Sequence, residues 1–62
     1  MNIQETINKA ANVLKKNNIV TAYLDSELLL SEVLKKDRSY VILNSKEILD
    51  KKFLYDFNNL IY

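Results

Sequence analysis

Tyr23-Leu24-Asp25-Ser26-Glu27-Leu28-Leu29-Leu30-Ser31-Glu32-Val33-Leu34 is the stretch whose reading decides the fold. On a helical wheel, Leu29, Val33, Leu30, Tyr23 and Leu34 fill a broad arc, and Leu24 and Leu28 lie nearly opposite them. A surface helix carries one apolar stripe; a helix that is apolar on two sides is sandwiched between neighbours. The segment therefore reads as the central helix of a small bundle, with the rest of the chain wrapped around it.

Its flanks are readable outward from there. On the N-terminal side, Asn2 can cap a first helix, with Glu5 as its capping-box partner. Ile3, Ile7, Ala10, Ala11 and Leu14 then share one face about 100° wide. Glu5 and Lys9 are an i,i+4 pair in the favourable order. Lys15 and Lys16 sit in the last turn, where cations suit the helix dipole. Asn17-Asn18 can take the left-handed stop that glycine usually takes. Helix one is expected over about 3–17. Thr21 is the candidate N-cap of helix two, expected over about 22–36, with a Glu32–Lys36 pair near its end.

On the C-terminal side, Asp37 caps a short third element, Arg38–Leu43. Its β-branched Val41-Ile42 also suits a strand, but a lone strand has no partner here, so one or two helical turns are expected. Ser45–Leu49 is a connector. Asp50 caps a fourth helix that runs to the C-terminus with Phe53, Leu54, Phe57, Leu60 and Ile61 on an arc about 120° wide. That helix meets no stop signal, so the chain is expected to be an N-terminal fragment of something longer. The predicted fold class is all-α: residues 1–62 form a single domain, a small up-and-down-like bundle of about four helices. The expected core includes Ile7, Leu14, Leu28, Leu29, Leu30, Phe53 and Phe57.

Composition supports this and narrows the function. The 62 residues contain no glycine and no proline. Sheet turns and phosphate-cradling loops both need glycine, so neither is easily built. Eight asparagines serve as punctuation instead. There is no cysteine and no histidine, which removes disulfides, thiolate metal sites and the commonest general base. No catalytic, cofactor-binding or metal-binding residue is expected. A net charge of +1 lacks the basic excess of a nucleic-acid binder. No apolar run is long enough to span a membrane, and the polar opening Met1-Asn2-Ile3-Gln4-Glu5 does not resemble a secretory signal. A soluble, cytoplasmic, monomeric domain is expected.

Three features suggest partners, each with a plainer reading. Asp25 and Glu32 share a polar strip of helix two, but their Cα atoms would lie roughly 10.5 Å apart with no matching acid opposite; solvated charges are the better account. The doublets Lys15-Lys16, Lys35-Lys36 and Lys51-Lys52 can meet an acidic partner or RNA. The first two belong at helix C-termini anyway, whereas Lys51-Lys52 opposes its helix dipole. A helix-turn-helix DNA reader is disfavoured, because its recognition helix would be the apolar helix two. Tyr55 and Tyr62 fall on one side of helix four, off its core face, where aromatics suit an interface.

The Leu24-Asp25-Ser26-Glu27-Leu28-Leu29-Leu30 signature resembles the N-terminal domain of HemK/PrmC-type release factor glutamine methyltransferases. The likeness includes the Ile3-Gln4-Glu5 opening, Val33-Leu34 followed by Asp37-Arg38-Ser39, and the Leu49-Asp50 start of the last helix. That family often has proline at the start of its second helix and glycine after it; this chain has Ala22 and Lys35-Lys36. The resemblance implies a helical substrate-docking domain that helps bind class-one peptide chain release factors. A separate catalytic domain of the parent enzyme then uses S-adenosylmethionine to methylate the glutamine of the factor's Gly-Gly-Gln motif. The fragment itself would hold no cofactor and be no enzyme. Arg38 or the lysine doublets would face the release factor, and Tyr55 and Tyr62 the missing catalytic domain. The alternative is a free-standing helical interaction or oligomerisation module.

Overall fold

Every free donor at the start of α1 (Ile3–Lys16) finds a partner, and this fixes how the chain closes. Asn2 is extended, and its Oδ1 accepts from the Glu5 N–H at 2.8 Å. Glu5 Oε1 in turn accepts from the Asn2 N–H at 3.0 Å, completing the expected capping box. Glu5 thus serves the cap. The next two donors go elsewhere: Ile3 N–H donates to Glu47 O at 3.0 Å and Gln4 N–H to Ser45 O at 2.9 Å. Leu49 N–H also donates to Met1 O at 3.0 Å, and Asn2 and Ile48 form an isolated antiparallel bridge. The stretch read as a plain connector is therefore a strap tied across the beginning of the chain.

The computed structural model describes residues 1–61. Among them, α1 is followed by α2 (Ala22–Leu34), α3 (Arg38–Leu43) and α4 (Lys51–Ile61). Tyr62 lies outside the described residues. Both long helix ends close with the same pair of hydrogen bonds. After α1, Asn18 is left-handed (φ 64°); its N–H reaches Lys15 O at 3.0 Å, and Ile19 N–H reaches Leu14 O at 3.1 Å. After α2, Lys35 is left-handed (φ 55°), with Lys35 N–H on Glu32 O at 3.2 Å and Lys36 N–H on Ser31 O at 3.0 Å. Helix two ends there, two residues short of expectation. A Cβ crowds the following carbonyl in this conformation, which costs roughly 1–2 kcal/mol. Asp37 caps α3 as expected, its Oδ1 accepting from Tyr40 N–H at 3.0 Å. Thr21 does not cap α2 with its side chain. Its hydroxyl donates to Asp25 Oδ2 at 3.0 Å instead, while its carbonyl accepts the Asp25 N–H at 2.8 Å.

The bundle is all-α, with α2 packed against α1, α3 and α4, most extensively against α1. The core joins Ile3, Ile7 and Ala10 of α1 to Leu30, Val41, Leu49 and Phe57. Leu29, Val33, Leu34, Tyr40, Leu54 and Ile61 pack around it. Two-sided burial of helix two does not hold. Leu24 is 40% exposed and Leu28 46% exposed, so Leu28 leaves the expected core. All three neighbouring helices meet α2 on the Leu30 side. That side also buries Ala22, Ser26, Glu27 and Ser31. Small side chains permit close approach, and the polar groups are satisfied there. Ser26 Oγ donates to Ala22 O and Ser31 Oγ to Leu28 O, each at 2.7 Å. Leu14, Leu29 and Phe53, also expected in the core, are half-buried, and Leu60 is exposed. No helix of the described residues is long and apolar enough to cross a membrane.

Candidate partner-binding surface

Arg38 opens α3, and the Asp37 cap fixes its backbone. From there its guanidinium reaches Glu27 of α2: Nε and Nη2 donate to Glu27 Oε1 at 3.0 and 2.9 Å. The Glu27 side chain is 7% exposed and that of Arg38 48%. A nearly buried carboxylate needs a partner, so Arg38 first serves to tie α3 onto α2. The Arg38 side chain as a whole stays half exposed. Glu27 is the glutamate of the Leu-Asp-x-Glu signature, yet sequence spacing alone gave no hint that it is paired.

Tyr55 stands on the outer side of α4 and is 68% exposed, off the core face as expected. Tyr62, the other expected contact, lies outside the described residues. No hydrogen bond or ion pair among the described residues joins Arg38 to Tyr55. Asp25 and Glu32 do not form a paired-carboxylate site: Asp25 is engaged by Thr21, and Glu32 is exposed. The three lysine doublets are all exposed, at the end of α1, past the end of α2 and at the start of α4. Among the described residues, no group of His, Cys, Asp or Glu is arranged to hold a metal ion.

Two surface features escape the sequence reading. One is an apolar patch at the α1–α2 turn. Val20 is 98% exposed there, and Leu14, Ile19, Leu28 and Leu29 line a shallow depression beside it. The other is a cavity of about 210 Å³ between the end of α2, α3, the strap and the start of α4. Leu34, Ile48, Leu49 and Phe53 give it apolar walls, and Lys36, Tyr40, Glu47 and Asp50 line the remainder. Tyr40 Oη donates to Glu47 Oε2 at 2.6 Å. That bond, aided by desolvation and by the carboxylate's charge, holds the phenol above its usual pKa. Lys36 Nζ lies 5.3 Å from the centre of the Tyr40 ring, within cation–π range.

A family model described as the PrmC N-terminal domain matches residues 5–62. The chain belongs to the PrmC N-terminal domain family. A curated relative, a release factor glutamine methyltransferase of Clostridium acetobutylicum, is 38% identical over 63 aligned residues. The alignment covers 97% of this chain and 22% of the relative, so this PrmC N-terminal domain spans about a fifth of that protein's length. No solved structure matches it.

Proposed function

We propose that the chain is the release-factor-docking part of a protein-(glutamine-N5) methyltransferase. In this reading the parent enzyme methylates the Gly-Gly-Gln glutamine of class-one peptide chain release factors in the cytoplasm. S-adenosylmethionine binds and reacts elsewhere in that parent, and the present domain contributes contact surface only. The observation that carries the reading is the family match along nearly the whole chain, together with the name of the relative. Composition supports the division of labour. With no glycine, the backbone cannot easily approach a nucleotide-like cofactor, and with no histidine or cysteine the usual proton-transfer and nucleophilic groups are missing. These residues do not fit the cofactor, and no catalytic step is assigned to them.

Arg38 and the lysine doublets are the surfaces proposed for the release factor, with Tyr55 and Tyr62 proposed to meet the catalytic part. A domain this small offers a modest contact area, so docking by the isolated, monomeric domain is weak, and tethering to the catalytic part raises the effective concentration of the joint contact. The test is amide chemical-shift mapping of the labelled domain against its cognate release factor, with the full-length enzyme as control. Localised, saturable shifts at millimolar factor are expected. If the full-length enzyme binds and the isolated domain shows no shifts, independent docking is wrong and the domain is a brace for the catalytic part.

A further inference from the structure

The cavity between the end of α2 and the start of α4 shares only Lys36 with the docking reading above, and its chemistry is specific. We propose that it receives an arginine side chain presented by a partner protein. At about 210 Å³ it is smaller than the roughly 300–1,000 Å³ of ordinary small-molecule sites, so it suits one side chain rather than a metabolite. The walls of Leu34, Leu49 and Phe53 match the apolar stem of a long cationic residue. Among the lining residues, two carboxylates, Glu47 and Asp50, stand against one ammonium, Lys36. The lining thus carries one excess negative charge on a chain whose net charge is +1. An acidic partner is repelled there, and a cationic one is matched.

Two further observations favour a cation. The Tyr40 ring already holds one, since Lys36 Nζ lies 5.3 Å from its centre. Tyr40 also donates to Glu47 at 2.6 Å, which fixes the carboxylate beside the ring and leaves it further acceptor capacity. A planar guanidinium stacks on an aromatic face and forks to a carboxylate together, and it is more weakly hydrated than an ammonium. Arginine is therefore favoured over lysine. Lys36 is the chain's own cation in this site, and an entering arginine competes with it for the Tyr40 face.

The experiment titrates the isotopically labelled 62-residue chain with a blocked Ala-Leu-Arg-Leu-Ala peptide. Citrulline, the uncharged near-isostere, and glutamate replace the arginine in two control peptides. Saturable shifts confined to the amides of Tyr40, Glu47, Leu49 and their neighbours are expected with the arginine peptide at millimolar concentration. Citrulline and glutamate should bind at least about fivefold more weakly, the scale of one lost charge contact. Glu47→Gln keeps a hydrogen-bond acceptor for Tyr40 and should weaken the arginine peptide similarly. Lys36→Met removes the internal competitor and should tighten it. The proposal is overturned if the arginine peptide gives no saturable shift, if citrulline binds equally well, or if Lys36→Met weakens binding. Failure of release-factor docking leaves these outcomes unchanged, because the peptides are read on the cavity alone.

Discussion

Helices α1 and α2 follow opposite rules. In α1 the apolar stripe is the buried face: Ile3, Ile7, Ala10 and Ala11 are all buried, joined by Thr6, whose hydroxyl donates to Asn2 O. In α2, which has far more apolar surface, Leu24 and Leu28 lie outside while Ser26, Glu27 and Ser31 lie inside. Hydrophobicity sets how much a helix wants to be covered; the neighbours decide which side is. Three helices converge on the Leu30 side of α2, and Leu24 and Leu28 are left partly open to solvent. The polar groups turned inward are tolerated because each has a partner.

The contrast breaks first at leucine. Leu30 is fully buried and Leu28 nearly half exposed. Leu30→Ala should cost about 2–5 kcal/mol, most of the roughly 3–5 kcal/mol that a core of this size supplies. Leu28→Ala should cost less than about 0.5 kcal/mol. Urea unfolding of the two variants measures the difference, and equal losses would restore burial on both sides of α2.

The polar lining of the inward side is tested next. Arg38→Ala leaves the Glu27 carboxylate without its partner and should destabilise by about 1–3 kcal/mol. Arg38→Lys removes the two-nitrogen grip and should recover only part of that. Chemical denaturation reads both. A docking experiment that uses Arg38→Ala must therefore be corrected for lost structure.

The end of α2 offers a smaller effect of opposite sign. Lys35→Gly relieves the left-handed strain at φ 55° and should stabilise by about 1 kcal/mol. In a domain of this size that is a melting-temperature rise of about 4–8 °C. Ala10→Gly, in the interior of α1, should do the reverse.

The smallest effect lies at the Tyr40–Glu47 contact. Because the folded state raises the Tyr40 pKa, the neutral phenol is favoured there. Its contribution is complete below the unfolded value of about 10 and is lost as pH rises through the higher folded value. Stability should therefore decline above about pH 10, and less steeply in Tyr40→Phe. Parallel alkaline titrations by circular dichroism distinguish the two.

What was legible in the sequence was local. Asn2 with Glu5, Asn17-Asn18 and Asp37 marked helix ends, and each does so by a hydrogen bond or a backbone angle confined to a few residues. The stripe of α1 was readable because one neighbour-facing side accounts for all of its apolar groups. Nonlocal features were not readable. The strap uses backbone groups of Ser45, Glu47 and Leu49, which carry no side-chain signal. Glu27 and Arg38 meet across eleven positions, and Tyr40 and Glu47 across seven. Lys35 gave no warning of a left-handed stop, since only glycine or asparagine advertises one. Of the surface residues singled out, Tyr55 is exposed, and Arg38 is also committed to the fold through Glu27.

The most direct test of one-sided burial is paramagnetic relaxation of the leucine methyl groups by a soluble gadolinium chelate. The methyls of Leu24 and Leu28 should broaden strongly, while those of Leu30 stay protected at the level of Val41 and Leu49. Leu28 methyls protected as well as those of Leu30 would contradict the account and place a neighbour on the outer side of α2.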